Sequence, residues 1–249
     1  MGIALGGEQK TSALSVTDPT SFDIARRSLA ECTLFRGLSA IEKEALLARA
    51  RVRRFGAGET IFLMGSSGNS MMKVLSGDVR ISVQSTDGRE IVLAILHENE
   101  YIGEIAMLDG KERTADARAL TPCTLAILER RDMLGLFERH PSAMAGMIEV
   151  LCERLRATDR HVAEIALLKL STRLAKALVR AAVAGSADRA IAVSAISMSQ
   201  RELGAVVGAA RESVNRCLRE WQRSGLVRVD GNIITILDRA RLEDLANQD

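Results

Sequence analysis

The sequence predicts an α+β chain: an antiparallel β-barrel or jelly roll, then a long helix, then a winged helix-turn-helix. Three observations carry this reading. Short apolar runs separated by turn signals fill residues 34 to about 128. A 4-3 apolar repeat begins after Pro141. Residues 198–218 read as a short helix, a glycine-bearing turn and a second helix with a charged face.

Residues 1–28 are rich in Gly, Ser, Thr and Ala with weak periodicity. They predict a poorly ordered extension with one helical turn near Phe22–Arg27. The barrel domain is placed at 29–140. Its first element is an amphipathic helix over Leu38–Arg51, capped by Ser39. Strands follow at Thr60–Met64, Met71–Leu75, Val79–Gln84, Ile91–Leu96 and Thr124–Leu128. The turns between them include Gly65–Asn69, Ser76-Gly77-Asp78 and the hairpin signal Asp87-Gly88. Many short strands at even spacing favour a small closed or double-sheet architecture.

The segment 141–169 predicts a dimerisation helix. Met144, Ile148, Leu151, Leu155, Thr158, Val162 and Ile165 step alternately by four and three residues. A core-packed helix shows a wider apolar stripe, so the narrow seam favours a coiled-coil dimer. The remaining domain, 170–249, opens with a helix from Leu170 to Ala184 that stops near Gly185. The helix-turn-helix follows. Leu226–Val229 and Ile233–Leu237, joined by Asp230-Gly231-Asn232, then form a hairpin wing.

Composition narrows the function classes. With 249 residues, 47% hydrophobic and 27% charged, the chain suits two ordinary globular domains. Aromatics are only 3%, which argues against base stacking on single strands. Net charge is +2, yet Gln200–Arg228 carries six arginines against three glutamates, a local excess of three that suits a phosphate-facing patch. Cys32, Cys123, Cys152 and Cys217 are scattered and predict reduced thiols in a cytoplasmic protein, with no disulfide framework and no metal site. No apolar run of about 18 residues predicts a membrane span. The N-terminus shows no export signal. No nucleophile–base pair is evident, so no catalytic residue and no enzyme activity are expected.

In the second helix of the motif, Val214, Cys217, Leu218 and Trp221 make an apolar face. Glu212, Asn215, Arg216 and Arg219 lie opposite, with Arg211 beside them at the helix start. Arginine pairs with guanine O6 and N7, and glutamate accepts from cytosine N4. Arg211, Glu212 and Arg216 are therefore candidates for direct base reading, with Asn215 on the same face. Ser199 and Arg201, at the start of the preceding helix, suit phosphates.

A second constellation runs from Tyr101 to Ala115 and holds Gly103-Glu104-Ile105-Ala106 and Arg113-Thr114. Glycine admits close backbone approach. A carboxylate accepts from a ribose hydroxyl, and a guanidinium beside a hydroxyl pairs with phosphate. Nine residues separate Glu104 from Arg113 within a strand-rich region.

With these two segments the chain resembles the Crp/Fnr superfamily over roughly residues 30–240. The resemblance implies a cyclic-nucleotide-binding barrel, a dimer helix and a winged helix-turn-helix. It also implies that Glu104 holds the ribose 2′-hydroxyl and that Arg113 and Thr114 hold the cyclic phosphate. Thr158 and Asp159 match the positions that touch the base. Asp159 stands where the cyclic AMP receptor has serine, and a carboxylate serves adenine or guanine. Cyclic AMP is the expected effector, with cyclic GMP as its rival. A ligand-independent factor or a sensor of another ligand, such as cyclic di-GMP, are the alternatives. The iron–sulfur branch needs clustered N-terminal cysteines and the haem branch needs axial ligands. Cys32 stands alone, and His97, His140 and His161 form no recognisable pair. The implied partners are a near-palindromic duplex DNA, a second copy of the chain and RNA polymerase. Asn99 stands at a turn position where glycine is usual, and asparagine tolerates the left-handed region.

Overall fold

The computed structural model describes residues 33–35, 37–86, 90–184 and 195–248. The N-terminal extension, Cys32, the Asp87-Gly88 turn and the Gly185 helix stop lie outside the described residues. After a 3-10 turn at Thr33–Phe35 come α1 (Ala40–Leu47), β1 (Arg51–Phe55), β2 (Thr60–Phe62), β3 (Ser70–Ser76), β4 (Val79–Gln84), β5 (Glu90–Leu96) and β6 (Tyr101–Ile102). Then follow α2 (Glu104–Asp109), β7 (Asp116–Ala119), β8 (Cys123–Glu129), α3 (Arg130–Arg139), α4 (Pro141–Leu167) and α5 (Leu170–Ala184). The chain closes with β9 (Ala195–Ser197), α6 (Gln200–Val207), α7 (Arg211–Arg223), β10 (Val227–Asp230), β11 (Ile233–Ile236) and α8 (Arg239–Ala246).

The strands form two four-stranded sheets, ordered β1-β8-β3-β6 and β2-β7-β4-β5, and a three-stranded sheet β10-β11-β9. Of the barrel or jelly roll expected, the jelly roll is the arrangement found: the sheets are open and do not close into a ring. One end strand of each sheet is short, two residues in β6 and three in β2, and offers few ladder hydrogen bonds for closing a ring.

Ser39 caps α1 as expected, in a full capping box with Glu42. The helix stops at Leu47, whereas the sequence predicted Arg51. Arg51 instead begins β1, which pairs antiparallel with β8 from Arg51↔Ile127 to Phe55↔Cys123. β3 and β8 form the buried centre of the first sheet, with Met71 opposite Leu128 and Val74 opposite Leu125. All four are at most 1% exposed.

The chain divides into two compact units. One contains α1–α3, β1–β3, β6, β8 and the start of α4; the other contains β4, β5 and everything from Met147 onward. The helix α4 begins at Pro141, within the first unit's residues, and runs 27 residues. Proline suits a first helical turn, where its missing N–H has no partner to lose. Glu164 near the end of α4 pairs with Arg180 of α5 at 3.0 Å, and Arg173 donates to the Ile165 carbonyl at 3.0 Å. The core of this unit gathers Leu174 and Leu178 of α5, Leu203 of α6, Val214, Leu218 and Trp221 of α7, and Leu242 of α8. Each of these side chains is at most 7% exposed, so the short helices are held chiefly by packing.

Candidate ligand and nucleic-acid sites

The turn between β6 and α2 places Gly103 at φ +76, the left-handed region. A Cβ at this position would lie 2.1 Å from Arg113 Nη1, so only glycine fits beside the guanidinium. Arg113 itself is 4% exposed. Its Nη1 donates to the Gly103 carbonyl at 2.9 Å and its Nη2 to Ser70 Oγ at 3.1 Å. The guanidinium carbon stands 4.4 Å from the centroid of the Phe62 ring. Arg113 Nε is buried with no hydrogen-bond acceptor.

Backbone bonds fix this arginine from below. Arg113 N–H donates to the Ser66 carbonyl at 2.8 Å and the Arg113 carbonyl accepts from Gly65 N–H at 2.8 Å. Burial pushes the guanidinium below its ordinary pKa, and the charge of Glu104 holds it up. Glu104, the first residue of α2, is fully buried, as is Ala106 at 2%. Ile105 is 40% exposed, and Thr114 is exposed. The structure thus brings Gly103, Glu104 and Arg113 together. Asn99 adopts φ 74, as its place in the sequence predicts. Thr158 and Asp159 lie on α4 in the other unit, both exposed, and Thr158 Oγ1 donates to the Arg154 carbonyl at 3.0 Å.

Ser70 and Phe62 did not emerge from the sequence. Ser70 lies 43 residues before Arg113. No local spacing marks such a pair, which only the fold brings together.

In the helix-turn-helix, Ser199 caps α6 and its hydroxyl donates to Glu202 Oε2 at 2.7 Å. Its proton is directed into the helix, while Arg201 beside it is exposed. Gly204 packs so closely that a Cβ would lie 2.6 Å from the Ala209 carbonyl oxygen. Gly208 turns the chain at φ +63 into α7. On α7, Arg211, Glu212, Arg216 and Arg219 are exposed and Asn215 is half-buried. Val214, Leu218 and Trp221 are buried on the opposite face and Cys217 is half-buried. Ala210 stands at the N-cap of the helix and supplies no side-chain cap.

Residues 52–140 match the model of the cyclic nucleotide-binding domain, and residues 172–245 match that of the Crp-like helix-turn-helix domain. The cyclic AMP receptor protein of Thermus thermophilus is 31% identical over 213 residues, covering 86% of this chain and 96% of that protein. The chain belongs to the Crp/Fnr family of transcription regulators. A further relative in this family, the CRP-like cAMP-activated global transcriptional regulator of Mycobacterium tuberculosis, is 28% identical over 215 residues, with the same coverage. Among solved Crp/Fnr structures, the c-di-GMP responsive global regulator CLP of Xanthomonas campestris superposes with a TM-score of 0.71 at 25% identity, covering 80% of this chain and all of that one. The two matched domains contain the Gly103–Thr114 segment and α7 respectively. Among the described residues, no helix is long and apolar enough to cross a membrane.

Proposed function

We propose that the chain is a cytoplasmic, homodimeric regulator whose binding to duplex DNA is set by a cyclic nucleotide, cyclic AMP ahead of cyclic GMP. One observation carries the ligand reading: Arg113 is buried beside Gly103 and Glu104 with its Nε lacking an acceptor. A buried guanidinium with a spare donor suits an anion such as a cyclic phosphate. Arg113 and Thr114 would take the phosphate and Glu104 the ribose. Ile105 and Ala106 would continue the helix start behind it, and Thr158 and Asp159 would read the base. The relatives from Thermus thermophilus and Mycobacterium tuberculosis support cyclic AMP by their names.

On the DNA side, Arg211, Glu212, Asn215 and Arg216 would face base edges. Arg201 would meet phosphate, with Ser199 holding the start of its helix. The second copy is supported by Ile148, Leu155 and Val162, which are 54%, 61% and 59% exposed along one seam of α4. A two-fold dimer expects half-sites about one helical turn apart on a near-palindrome. RNA polymerase would be contacted from the bound dimer, and no catalytic step is assigned.

The neighbour from Xanthomonas campestris favours cyclic di-GMP as a second reading. The deciding measurement is operator binding by fluorescence anisotropy with cyclic AMP, cyclic GMP, cyclic di-GMP or no nucleotide. Cyclic AMP should change DNA affinity most. A response to cyclic di-GMP alone moves the effector assignment, and equal affinity in every condition removes the ligand switch.

A further inference from the structure

The geometry points to Phe62 as an aromatic platform that orients the Arg113 guanidinium toward an anionic ligand, with Ser70 fixing its far edge. This rests on the reading of Arg113 as the phosphate contact. Neither Phe62 nor Ser70 belongs to the Gly103–Thr114 segment; both come from the preceding strands β2 and β3.

A guanidinium is a flat group with five N–H donors in its plane. Two of its nitrogens are tied down here, Nη1 to the Gly103 carbonyl and Nη2 to Ser70 Oγ. Those two bonds fix two points of the plane, and its tilt about the line that joins them is opposed otherwise only by the flexible side-chain stem at Nε. The Phe62 ring, with its centroid 4.4 Å from the guanidinium carbon, restricts that tilt. Contact with an aromatic face within about 6 Å is attractive for a cation, and more so when water is excluded. Phe62 is half-buried, so its ring is partly spent on the cation instead of wholly on an apolar core.

The backbone makes the platform rigid. The turn that follows β2 is bound to Arg113 at both its N–H and its carbonyl, through Ser66 and Gly65. An isolated bridge between Ser67 and Glu112 extends this pairing. Phe62 and Arg113 are therefore held to one another twice, by ring contact and by backbone. The donors left for a ligand are the unaccepted Nε and the N–H groups of Nη1 and Nη2 not used by Gly103 and Ser70. Phe62 is a positioning residue: it touches the arginine, and the arginine touches the ligand.

The test is calorimetry with cyclic AMP and with the two phosphorothioate diastereomers of cyclic AMP, on the full chain. Phe62→Leu should weaken cyclic AMP binding about tenfold, while Phe62→Tyr and Phe62→Trp keep it within about twofold because an aromatic face is retained. The affinity ratio between the two diastereomers should shrink in Phe62→Leu, because a tilted guanidinium distinguishes the two phosphate oxygens less well. A merely structural loss would weaken both diastereomers equally and leave their ratio unchanged, which overturns the platform. Wild-type binding in Phe62→Leu overturns it too, provided Arg113→Ala abolishes binding. If Arg113→Ala binds normally, the phosphate site itself is wrong and the platform falls with it. Should Phe62→Leu not fold, equal loss of binding in the folded Phe62→Tyr and Phe62→Trp proteins would equally refute the role.

Discussion

Ile165, near the end of the long helix, stands over Gly208 in the turn of the helix-turn-helix: a Cβ on that glycine would lie 3.2 Å from Ile165 Cδ1. The turn also needs φ +63, which side chains rarely adopt. Gly208→Ala should therefore destabilise the protein by about 1–3 kcal/mol, read by thermal unfolding. Ile165→Ala in the same chain should recover the crowding part but not the backbone part. A double-mutant cycle separates the two, and strict additivity would show that Ile165 does not feel the new methyl.

Gly103→Ala should reproduce Arg113→Ala. The added Cβ falls on Arg113 Nη1 and must displace the guanidinium from its carbonyl and hydroxyl partners. A saturating cyclic nucleotide at about one hundred times its Kd stabilises a single-site protein by about 2.7 kcal/mol. That thermal shift should appear in the wild type and vanish in both variants. A full shift in Gly103→Ala would mean that Arg113 does not carry the phosphate.

Base and phosphate contacts separate by their response to sequence and salt. Arg211→Ala and Arg216→Ala should each cost about 1–3 kcal/mol and relax preference at one base pair. Arg201→Ala should weaken all sequences alike and reduce the salt slope by about one. Competition binding against single-base operator variants at several salt concentrations distinguishes them. Uniform weakening by Arg216→Ala would reassign that residue to the backbone.

The described thiols should differ in reactivity. Burial, with Glu59 and Asp78 adding to it, pushes Cys123 up to about 11, and burial with Glu220 does the same to Cys217. A raised pKa keeps the thiol protonated at neutral and mildly alkaline pH, and the thiolate is the nucleophile. Cys152 is exposed on α4. Iodoacetamide at mildly alkaline pH, followed by peptide mapping, should mark Cys152 well before Cys123 and Cys217. Rapid labelling of Cys217 would show that the underside of α7 opens readily.

Leu155→Glu places a charge in the middle of the exposed seam on α4, where Leu155 is 61% exposed. A charge there costs nothing in a lone helix and much between two helices. Sedimentation should show a monomer that still unfolds cooperatively. A dimer unchanged by the substitution would place the interface elsewhere.

Helices with a sustained period and strands with an apolar run, such as Val79–Gln84, were legible in the sequence, and short or polar elements were not. The span of α5 and the start of α7 follow from apolar residues at helical spacing and match the structure. β1 was missed because Arg51, Arg53 and Arg54 give it no apolar alternation; its five-residue pairing with β8 makes it a strand. β9 is three residues that β11 recruits, and α2 is six residues, too short for a period to show. At the candidate ligand site, Gly103, Glu104 and Arg113 lie within one local segment and could be read. Ser70 and Phe62 could not, because the topology alone carries them there.

The second helix of the helix-turn-helix starts bare. α6 has both halves of a capping box, whereas α7 has an alanine at its N-cap and no side-chain acceptor for its first amides. Ala210, Arg211 and Glu212 are all exposed at that end. Serine or aspartate at 210 would accept from an amide of the first turn and steady the helix by about 1 kcal/mol. The first turn of α7 is held instead by backbone bonds, Ser213 and Val214 N–H to the Ala210 carbonyl at 3.0 and 3.2 Å, and by the buried Val214 side chain.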